Sequence, residues 1–331
     1  MTIDNLVKTF YANKLGCVVC IEQSGALEIN SNNFKVITTT GTYLFKRHLG
    51  QQDLNKIQNS LNIGQYLLNK SVAVPKMIRA DDGELYCFNS DAYWTVSLFV
   101  DGNYFSGHSK QEVILTAQAI GKLFKALATL PEDIYPPEEI HYNLQEWDSL
   151  ISECFQRKNE WISLFGLEIA QLLEKDWKVM ESSLSTIKKK SVVTAELVPC
   201  HIDLHPHNIL VGENFHATII DLDSIKLANP KSMLAFGVYK LMRQYASNVI
   251  KECPVQEIKK TVWDFYKEVE LDARVMGKEE DLLQYYAMME VFRRICIIIK
   301  QNLRNSHSDW NHVLPIQIIA LSEIKVLFEC F

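Results

Sequence analysis

The polar residues with the clearest chemical pattern lie in one central stretch of the chain. His201 and Asp203 stand at a predicted turn, Asn208 follows them, and a second short apolar run ends at Asp221 and Asp223. Short apolar runs with polar residues at their ends are typical of buried strands. Because carboxylates delivered by buried strands are unfavourable unless a cation meets them, we predict a functional site here.

The residue types in this stretch suit phosphoryl transfer. An aspartate such as Asp203 can accept a proton from a hydroxyl group or orient that group. The amide oxygen of Asn208 and the carboxylate of Asp221 are ligands that suit Mg²⁺, which protein carboxylates usually bind together with substrate phosphates. Phosphoryl transfer also needs a fixed cation on the phosphates. Lys46, which ends an apolar strand far upstream, is the candidate.

The same stretch is compatible with a different enzyme class. His201, Asp203, His205 and His207 have spacings that could hold Zn²⁺ in a metal-dependent hydrolase. Pro206 interrupts the helical alignment of these side chains, however, and a hydrolase would leave the upstream lysine unexplained. On a surface turn, the second and third histidines could also be purely structural.

The elements that must position these residues change character near residue 100. Before it, β-branched and aromatic runs alternate with turn signals and one helical repeat, which predicts a five-stranded antiparallel sheet with one main helix. After it, helical periodicity dominates. We therefore predict an α+β fold with a β-rich nucleotide-binding lobe over 1–100 and a helical lobe over 101–331. The second lobe would contain a catalytic loop (197–211), metal-binding acids (221–223) and acceptor-binding helices.

Composition and charge limit the classes of protein to which the chain could belong. The chain has 331 residues, of which 47% are hydrophobic, enough for two lobes with sizeable cores. Its formal net charge of −6 and its single run of three lysines (188–190) give no case for a nucleic-acid partner. The N-terminus lacks a signal pattern, and no apolar run approaches the ~20 residues of a membrane span. We expect a cytoplasmic protein without a membrane partner.

Only two of the eight cysteines, Cys17 and Cys20, have a spacing that suggests a shared metal or redox site. A zinc site would need a second such pair elsewhere in the chain, and there is none. Because both cysteines lie in an apolar run that is typical of a strand, we expect them to be buried free thiols.

The order of these features resembles the aminoglycoside phosphotransferase and choline kinase group, which are small-molecule kinases with the two-lobed protein-kinase-like fold. The resemblance is carried by His-Ile-Asp-Leu-His-Pro-His-Asn at 201–208 and Ile-Asp-Leu-Asp at 220–223. Lys46 on its strand, a helix, and a second strand at 94–100 precede these residues in the matching order.

The resemblance implies a role for each polar residue of the central stretch. Asp203 would be the catalytic base or the group that orients the acceptor hydroxyl, and His201 would support its loop. Asn208 and Asp221 would hold Mg²⁺. Asp223 would be either a second metal ligand or a structural acceptor.

The resemblance also implies how the first lobe would bind ATP or GTP as the phosphate donor. Lys46 would contact the α and β phosphates. The backbone of Ser97, Leu98 and Phe99 would hydrogen-bond the purine between the lobes. The turn at 30–33 takes the place of a glycine-rich phosphate loop, as is usual for the group.

The chain departs from the family pattern at three points. Ile202 stands where members of the family usually carry glycine, and His207 stands where they often do. The main helix of the first lobe lacks a glutamate to pair with Lys46, which motivates the alternative of a nucleotide-binding pseudokinase or regulatory module. The residues available to hold Lys46 are instead Gln58, Asn59, Asn62 and Asp53.

The acceptor is the least defined part of the predicted reaction. It would be a small molecule with a hydroxyl group, such as an aminoglycoside, amino alcohol, sugar or homoserine-like compound. Acidic residues in the C-terminal helices would suit a cationic acceptor, although most of them would also be expected on a solvated face. They are Asp264, Glu268, Glu270, Asp272, Glu279, Glu280, Asp281 and Glu290. Tyr285, Tyr286 and Phe292 could line a pocket, but their helical spacing is more typical of core residues.

Overall fold

The computed structural model describes most of the chain. The described residues are 2–23, 32–49, 54–89, 91–190, 196–212, 216–305 and 310–328. Two expectations from the sequence fall outside this part: the first half of the predicted turn at 30–33, and Asp53.

A five-stranded antiparallel sheet, in the order β1-β2-β3-β5-β4, confirms the predicted sheet. The central strand β3 buries Tyr43 and Phe45 on one face, so Lys46 points to the other face. The main helix of this part is α3, which the helical spacing of its apolar residues predicted. The elements are α1 (Ile3–Phe10), α2 (Ala12–Leu15), β1 (Val18–Gln23), β2 (Asn33–Thr38), β3 (Thr42–His48), α3 (Leu54–Asn69), β4 (Tyr86–Asn89) and β5 (Ala92–Leu98).

An extended segment between α3 and β4 runs along the end of β5 that β4 does not reach. Ile78 donates its N–H to Val96 O at 2.8 Å, and Leu98 donates its N–H to Lys76 O at 2.8 Å. Pro75 has no N–H to donate, which keeps this segment from becoming a full strand. The segment therefore covers one side of the strand that leads to the second lobe.

Cys17 and Cys20 are free thiols as expected, but the prediction that they are buried is wrong. Both are exposed. Strand β1 lies at the edge of the sheet and contains an irregular register between Val18 and Cys20, so its apolar run is not covered on both faces. An apolar run alone does not distinguish an edge strand from a central one.

The rest of the chain is mainly helical. Gly166, whose φ of +87° suits glycine, ends one helix before the next begins. The helices are α4 (Lys110–Leu127), α5 (Leu144–Gln156), α6 (Trp161–Phe165), α7 (Leu167–Lys189), α8 (Pro230–Val249), α9 (Val255–Ala273), α10 (Leu283–Asn305) and α11 (Leu314–Phe328).

Five short strands lie among these helices and organise the central stretch. Strand β8 pairs with both β6 and β9, and β7 pairs with β10, all antiparallel. The two short apolar runs of the central stretch are therefore present as the antiparallel strands β8 and β9. The strands are β6 (Asn103–Tyr104), β7 (Val198–His201), β8 (Ile209–Val211), β9 (Ala217–Ile219) and β10 (Ile225–Ala228).

One large hydrophobic core joins the helical part to the first part. Ile63 and Leu67 of α3 belong to this core, whereas Phe45 belongs to a separate smaller core under the sheet. Tyr285, Tyr286 and Phe292 are buried in the large core, as their spacing favoured. By length and composition the segment Asn311–Phe328 would also pass as a membrane span, but α11 buries residues such as Leu314, Leu321 and Ile324 in that core.

Candidate active site

Two strand pairings bring the polar residues of the central stretch together. In the first, His201 at the end of β7 lies opposite Ile225 at the start of β10. In the second, Ile209 of β8 lies opposite Ile219 of β9, and Ile220 donates its N–H to the backbone oxygen of Asn208 at 3.0 Å. The turn after β7, the start of β8 and the segment after β9 therefore lie side by side.

His201 connects two of these segments from a buried position. Its Nε2 atom lies 3.2 Å from Ile220 O, and its Nδ1 atom accepts the N–H of Asp203 at 3.3 Å. Burial lowers the pKa of His201, more than the nearby carbonyl and carboxylates raise it. The imidazole is therefore neutral at pH 7, and both of its nitrogens are used within the protein.

Lys46 reaches across from β3 to the two acids that follow β9. Its Nζ atom lies 2.5 Å from Asp223 Oδ2 and 3.3 Å from Asp221 Oδ1. The second oxygen of Asp223 accepts a hydrogen bond from Ser60 of α3 at 2.6 Å. Burial opposes the charge on Lys46, but the two carboxylates outweigh it and raise the pKa of this lysine.

The pairing of Lys46 differs from the partners that the sequence offered. Gln58 donates to Tyr86 Oη at 3.3 Å, and Asn59 donates to Tyr135 O at 3.1 Å, so neither amide holds the lysine. Asn62 is exposed. The expectation that α3 amides hold Lys46 is therefore wrong, because the acids that follow β9 lie closer to it.

Asp203 is held by the guanidinium group of Arg294 and the imidazole ring of His205. Arg294 Nη1 lies 3.3 Å from Asp203 Oδ1, and His205 Nε2 lies 3.3 Å from Asp203 Oδ2. Burial raises the pKa of Asp203, but His205 and Arg294 outweigh it and hold that pKa well below its usual range. His205 thus contacts the predicted catalytic aspartate directly, and whether its role is only structural stays a prediction.

Arg294 is fixed by a buried acid on its own helix. Glu290 is fully buried and accepts hydrogen bonds from Arg293 at 2.7 and 2.8 Å, from Arg294 at 2.8 Å, and from Tyr142 at 2.9 Å. Arg294 also donates to the backbone oxygen of Ile202 at 2.6 Å. Through Arg294, this network holds Ile202 and Asp203 of the predicted catalytic loop against α10.

Sequence reasoning missed Arg294 and Ser60. A signal for the arginine was present, because Glu290, Arg293 and Arg294 interrupt a strongly apolar part of α10 at spacings of three and four residues. Charges on an otherwise buried helix are expected only where they are paired. For Ser60 the sequence contains no comparable signal.

A cleft of about 720 Å³ opens between the sheet and the catalytic loop. Among the residues that line it are Lys46, Asn208, Asp221 and Asp223. Asn208 donates its amide N–H to Asp203 O at 2.9 Å, which leaves the amide oxygen available to the cleft. The cleft thus contains carboxylate and amide oxygens together with one cation.

The strand that leads from the first part to the second also lines the cleft, through Ser97, Leu98 and Phe99. Two of its N–H groups are already donated, that of Leu98 to Lys76 O at 2.8 Å and that of Phe99 to Thr42 O at 3.0 Å. These two N–H groups are therefore not available to a ligand.

The zinc alternative does not fit the geometry. Within the described ranges, no three His, Cys, Asp or Glu side chains are grouped as a metal site would require. Both ring nitrogens of His201 contact backbone groups, and His205 Nδ1 accepts the N–H of His207 at 3.2 Å. His207 instead lines the cleft, with its ring centroid 5.4 Å from that of Tyr104.

A second cavity of about 420 Å³ lies on the other side of Asp203 and shares Ile57 and Asp223 with the cleft. Its walls come from α3, the catalytic loop, α10 and α11. The residues are Lys56, Ile57, Ile202, Asp203, Asp223, Ser224, Lys226, Arg293, Arg294, Ile297, Ile298, Trp310, Val313 and Gln317.

None of the acids expected to receive a cationic acceptor lines this cavity, as far as the described side chains show. Asp272 pairs with Lys125, Glu279 pairs with Lys231, and Glu270 accepts the backbone N–H groups that follow α9. Glu268 accepts from Gln118. These acids stabilise helix ends and helix contacts, so the interpretation of an acidic acceptor site is not supported by their positions.

Comparison with known proteins agrees with this arrangement. The profile of the phosphotransferase enzyme family matches residues 26–232, more than half of the chain. Comparison with curated protein sequences gave no significant match. A spectinomycin phosphotransferase, solved with ADP and spectinomycin, shares 16% identity with a TM-score of 0.69, over 98% of this chain and 96% of that one.

Two further solved structures have the same fold. An aminoglycoside phosphotransferase from Alicyclobacillus acidocaldarius shares 13% identity with a TM-score of 0.69, over 99% of this chain and 94% of that one. The choline kinase of Streptococcus pneumoniae shares 14% identity with a TM-score of 0.58, over 97% and 99%. These likenesses confirm the predicted α+β, two-lobed, protein-kinase-like fold. With the family match they establish that the chain belongs to the phosphotransferase enzyme family.

Proposed function

We propose that this chain is a Mg²⁺-dependent kinase that transfers the γ-phosphate of ATP or GTP to a hydroxyl group of a small molecule. The observation that carries the proposal is the meeting of Lys46, Asn208 and Asp221 in one cleft, with Asp203 beside it. Such a set supplies the cation, the metal ligands and the hydroxyl-orienting group that phosphoryl transfer needs.

The donor nucleotide would lie in the 720 Å³ cleft. Lys46 would bind its phosphates, and the carbonyl oxygens of the strand over Ser97, Leu98 and Phe99 would hydrogen-bond the purine. The spectinomycin phosphotransferase of the same fold was solved with ADP, which supports an adenine nucleotide as donor. GTP remains the second donor to test.

The oxygen donors of the cleft fit Mg²⁺. The Asn208 amide oxygen is left free by the hydrogen bond of its nitrogen, and the Asp221 carboxylate faces the same cleft. Asp223 would be a further ligand or would keep its place against Lys46 and Ser60. When bound, Mg²⁺ neutralises phosphate charge.

Asp203 would orient the acceptor hydroxyl rather than act as a strong base. Because its pKa is held below the usual range, it is charged at pH 7 and binds a proton weakly. The acceptor oxygen forms a bond to the γ-phosphorus while the bond from that phosphorus to the β–γ bridging oxygen breaks. A nucleoside diphosphate leaves, and the hydroxyl proton passes through Asp203 to water.

The pseudokinase alternative was motivated by the lack of a glutamate on α3. Lys46 is nevertheless held by Asp223 at 2.5 Å, and Ser60 of α3 holds Asp223 in turn. This lysine is therefore positioned without the glutamate. The lack of a glutamate on α3 is therefore no longer an argument for an inactive protein.

The proposal is tested by thermal denaturation with Mg²⁺ and ATP or GTP, followed by a transfer assay. A nucleotide present at 100 times its Kd should stabilise the chain by about 2.7 kcal/mol. The Asp203→Asn variant should keep this stabilisation while transfer falls by about 10²–10⁴-fold. Asp221→Asn should weaken the Mg²⁺-dependent stabilisation itself.

Asp148→Asn, in a surface pair with Lys188, is the matched control and should change neither property. If no Mg²⁺–nucleotide stabilises the wild type, the proposed function is wrong. If Asp203→Asn transfers phosphate at the wild-type rate, the role given to Asp203 is wrong.

A further inference from the structure

The second cavity has the position of an acceptor site, given the proposed function. It reaches Asp203, which would orient the hydroxyl, and it meets the nucleotide cleft at Asp223. An acceptor bound there would present its hydroxyl at the boundary between the two cavities. The side chains of this cavity therefore decide which class of acceptor fits.

The charge of the cavity is opposite to the one that a cationic acceptor needs. Four cationic side chains line it, against the carboxylates of Asp203 and Asp223. Both carboxylates are already matched, Asp203 by Arg294 and Asp223 by Lys46. Among the side chains that the structure describes, an ammonium group would therefore meet cations and no free acid, which is unfavourable away from bulk water. The four cations are Lys56, Lys226, Arg293 and Arg294.

The two arginines are occupied by the protein, whereas the two lysines are not fully matched. Lys56 lies 2.5 Å from Glu138 Oε1, and Lys226 contacts the other oxygen of the same carboxylate. One negative charge is thus shared by two ammonium groups. Each ammonium has three N–H donors, so donors remain on both lysines after the bond to Glu138.

The cavity also has apolar side chains in its lining. Ile297 and Trp310 line it and are both substantially exposed. The cavity therefore combines cationic side chains, apolar surface and the carboxylate of Asp203. A ligand that fits must have an anionic group, a carbon frame and a hydroxyl group.

We infer that the acceptor of this kinase bears a carboxylate or phosphate group, which binds Lys56 and Lys226 while its hydroxyl faces Asp203. This inference rests on the proposed function and names its substrate class. The anion adds hydrogen bonds to two ammonium groups that already face each other across Glu138. Charge-assisted hydrogen bonds of this kind are stronger than neutral ones.

The test compares matched acceptors in a transfer assay with the full chain, Mg²⁺ and ATP. The pairs are glycerate with its methyl ester and glycerol phosphate with glycerol, in which the anionic group is present in one member and absent from the other. Choline, ethanolamine and spectinomycin form the cationic arm. We expect an anionic member to have at least a tenfold higher kcat/KM than its uncharged partner, and the pairs distinguish carboxylate from phosphate.

Variants locate the effect in the cavity. Lys56→Met and Lys226→Met should each raise KM for the anionic acceptor by about tenfold, the ratio that 1.4 kcal/mol gives. The Kd of Mg²⁺–ATP, measured without acceptor, should stay unchanged. Lys125→Met, in a pair with Asp272 remote from the cavity, is the matched control and should change neither constant.

Binding alone gives a readout that does not need the natural acceptor. Glycerate and glycerol phosphate should stabilise the wild type against heat at constant ionic strength, and the double variant Lys56→Met/Lys226→Met should lose this stabilisation. Equal stabilisation of both proteins would overturn the inference, as would preferential transfer to the cationic arm. Absence of any Mg²⁺–nucleotide stabilisation would instead refute the proposed function, so the two failures are distinguishable.

Discussion

The ammonium group of Lys46 and the carboxylate of Asp223 form a 2.5 Å ion pair that joins the central strand of the sheet to the segment after β9. Ser60 donates to the second oxygen of the same carboxylate. Helix α3 therefore controls the lysine through an acid from the other lobe. The link that a helix glutamate makes directly in the family is here indirect.

Replacement of Lys46 by Met should destabilise the chain by about 1 kcal/mol at pH 7, a modest value because the pair is one-third exposed. Burial raises the pKa of Asp223, but Lys46 and Ser60 outweigh it and lower that pKa from 3.8 to about 2. The stabilisation is thus present above pH 3.8 and lost as pH falls through about 2.

Urea denaturation at several pH values measures this effect. The difference between wild type and Lys46→Met should be constant from neutral pH down to about pH 5 and shrink below it. Lys35→Met, which removes a surface pair with Glu22, is the control on the neighbouring strand. A difference that grows on acidification would contradict the pairing.

Glu290→Gln should be strongly destabilising. It removes a fully buried negative charge and leaves Arg293 and Arg294 without their common acceptor. Breaking a buried pair in this way costs about 3–5 kcal/mol. Urea denaturation should show this loss, whereas Glu174→Gln, in an exposed pair with Lys158, should change stability by less than about 0.5 kcal/mol. A loss below about 1 kcal/mol would mean that the arginines find other acceptors.

His201 should make the chain less stable in mild acid. Because burial lowers its pKa below 6.5, the unfolded chain binds a proton before the folded one does. Its contribution is fully present above pH 6.5 and is lost as pH falls from 6.5 towards the lowered folded-state value. One proton gives a slope of at most about 1.4 kcal/mol per pH unit.

The His201→Gln variant should be less stable than wild type at about pH 8 and should lack this part of the slope. His312→Gln, at an exposed position, should retain it. Stability curves of wild type and His201→Gln that run parallel between about pH 7 and 5 would show that His201 is not the titrating group.

Lys240 should contribute to activity at the expense of stability. Its side chain is half-buried on α8, with Nζ 5.6 Å from the Phe236 ring centroid, and in the described part of the chain it has no ion-pair partner. Burial, followed by Arg294, lowers the pKa of Lys240, although Asp203 opposes this. A half-buried cation without an ion-pair partner is unfavourable, but this one adds positive potential near Asp203, beside which the γ-phosphate would be transferred.

Lys240→Met is therefore expected to raise the free energy of unfolding by about 1 kcal/mol and to lower kcat by about tenfold or more. Lys240→Arg should keep most of the activity. Urea denaturation and steady-state kinetics check the two effects separately. A Met variant that loses stability would indicate that Lys240 has a structural partner.

The sequence predicted the elements and the central residues better than it predicted their partners. Lys46 and the stretch from His201 to Asp223 were identifiable because their order and local spacing are fixed by one strand, one turn and one hairpin. The roles inferred for them remain predictions. What brings them together, the pairing of β7 with β10, was not visible, since those strands are too short to have a periodic signal.

The residues that the sequence did not indicate act across long separations. Lys56, Glu138 and Lys226 meet only because α3, the segment before α5 and β10 pack together. Pairwise charge contacts between distant segments have no local pattern. The acidic residues of the C-terminal helices show the converse, because their abundance suggested a cationic acceptor while their contacts are with neighbouring helices and loops.

The carboxylate of Glu138 ties α3 of one lobe to β10 of the other through Lys56 and Lys226. An anion bound by the same two lysines would act on the tilt of α3, which also carries the hydroxyl of Ser60 to Asp223. Binding of the acceptor and binding of the nucleotide would then be coupled through α3. Thermodynamic reciprocity requires that the factor by which the acceptor tightens nucleotide binding equals the factor by which the nucleotide tightens acceptor binding.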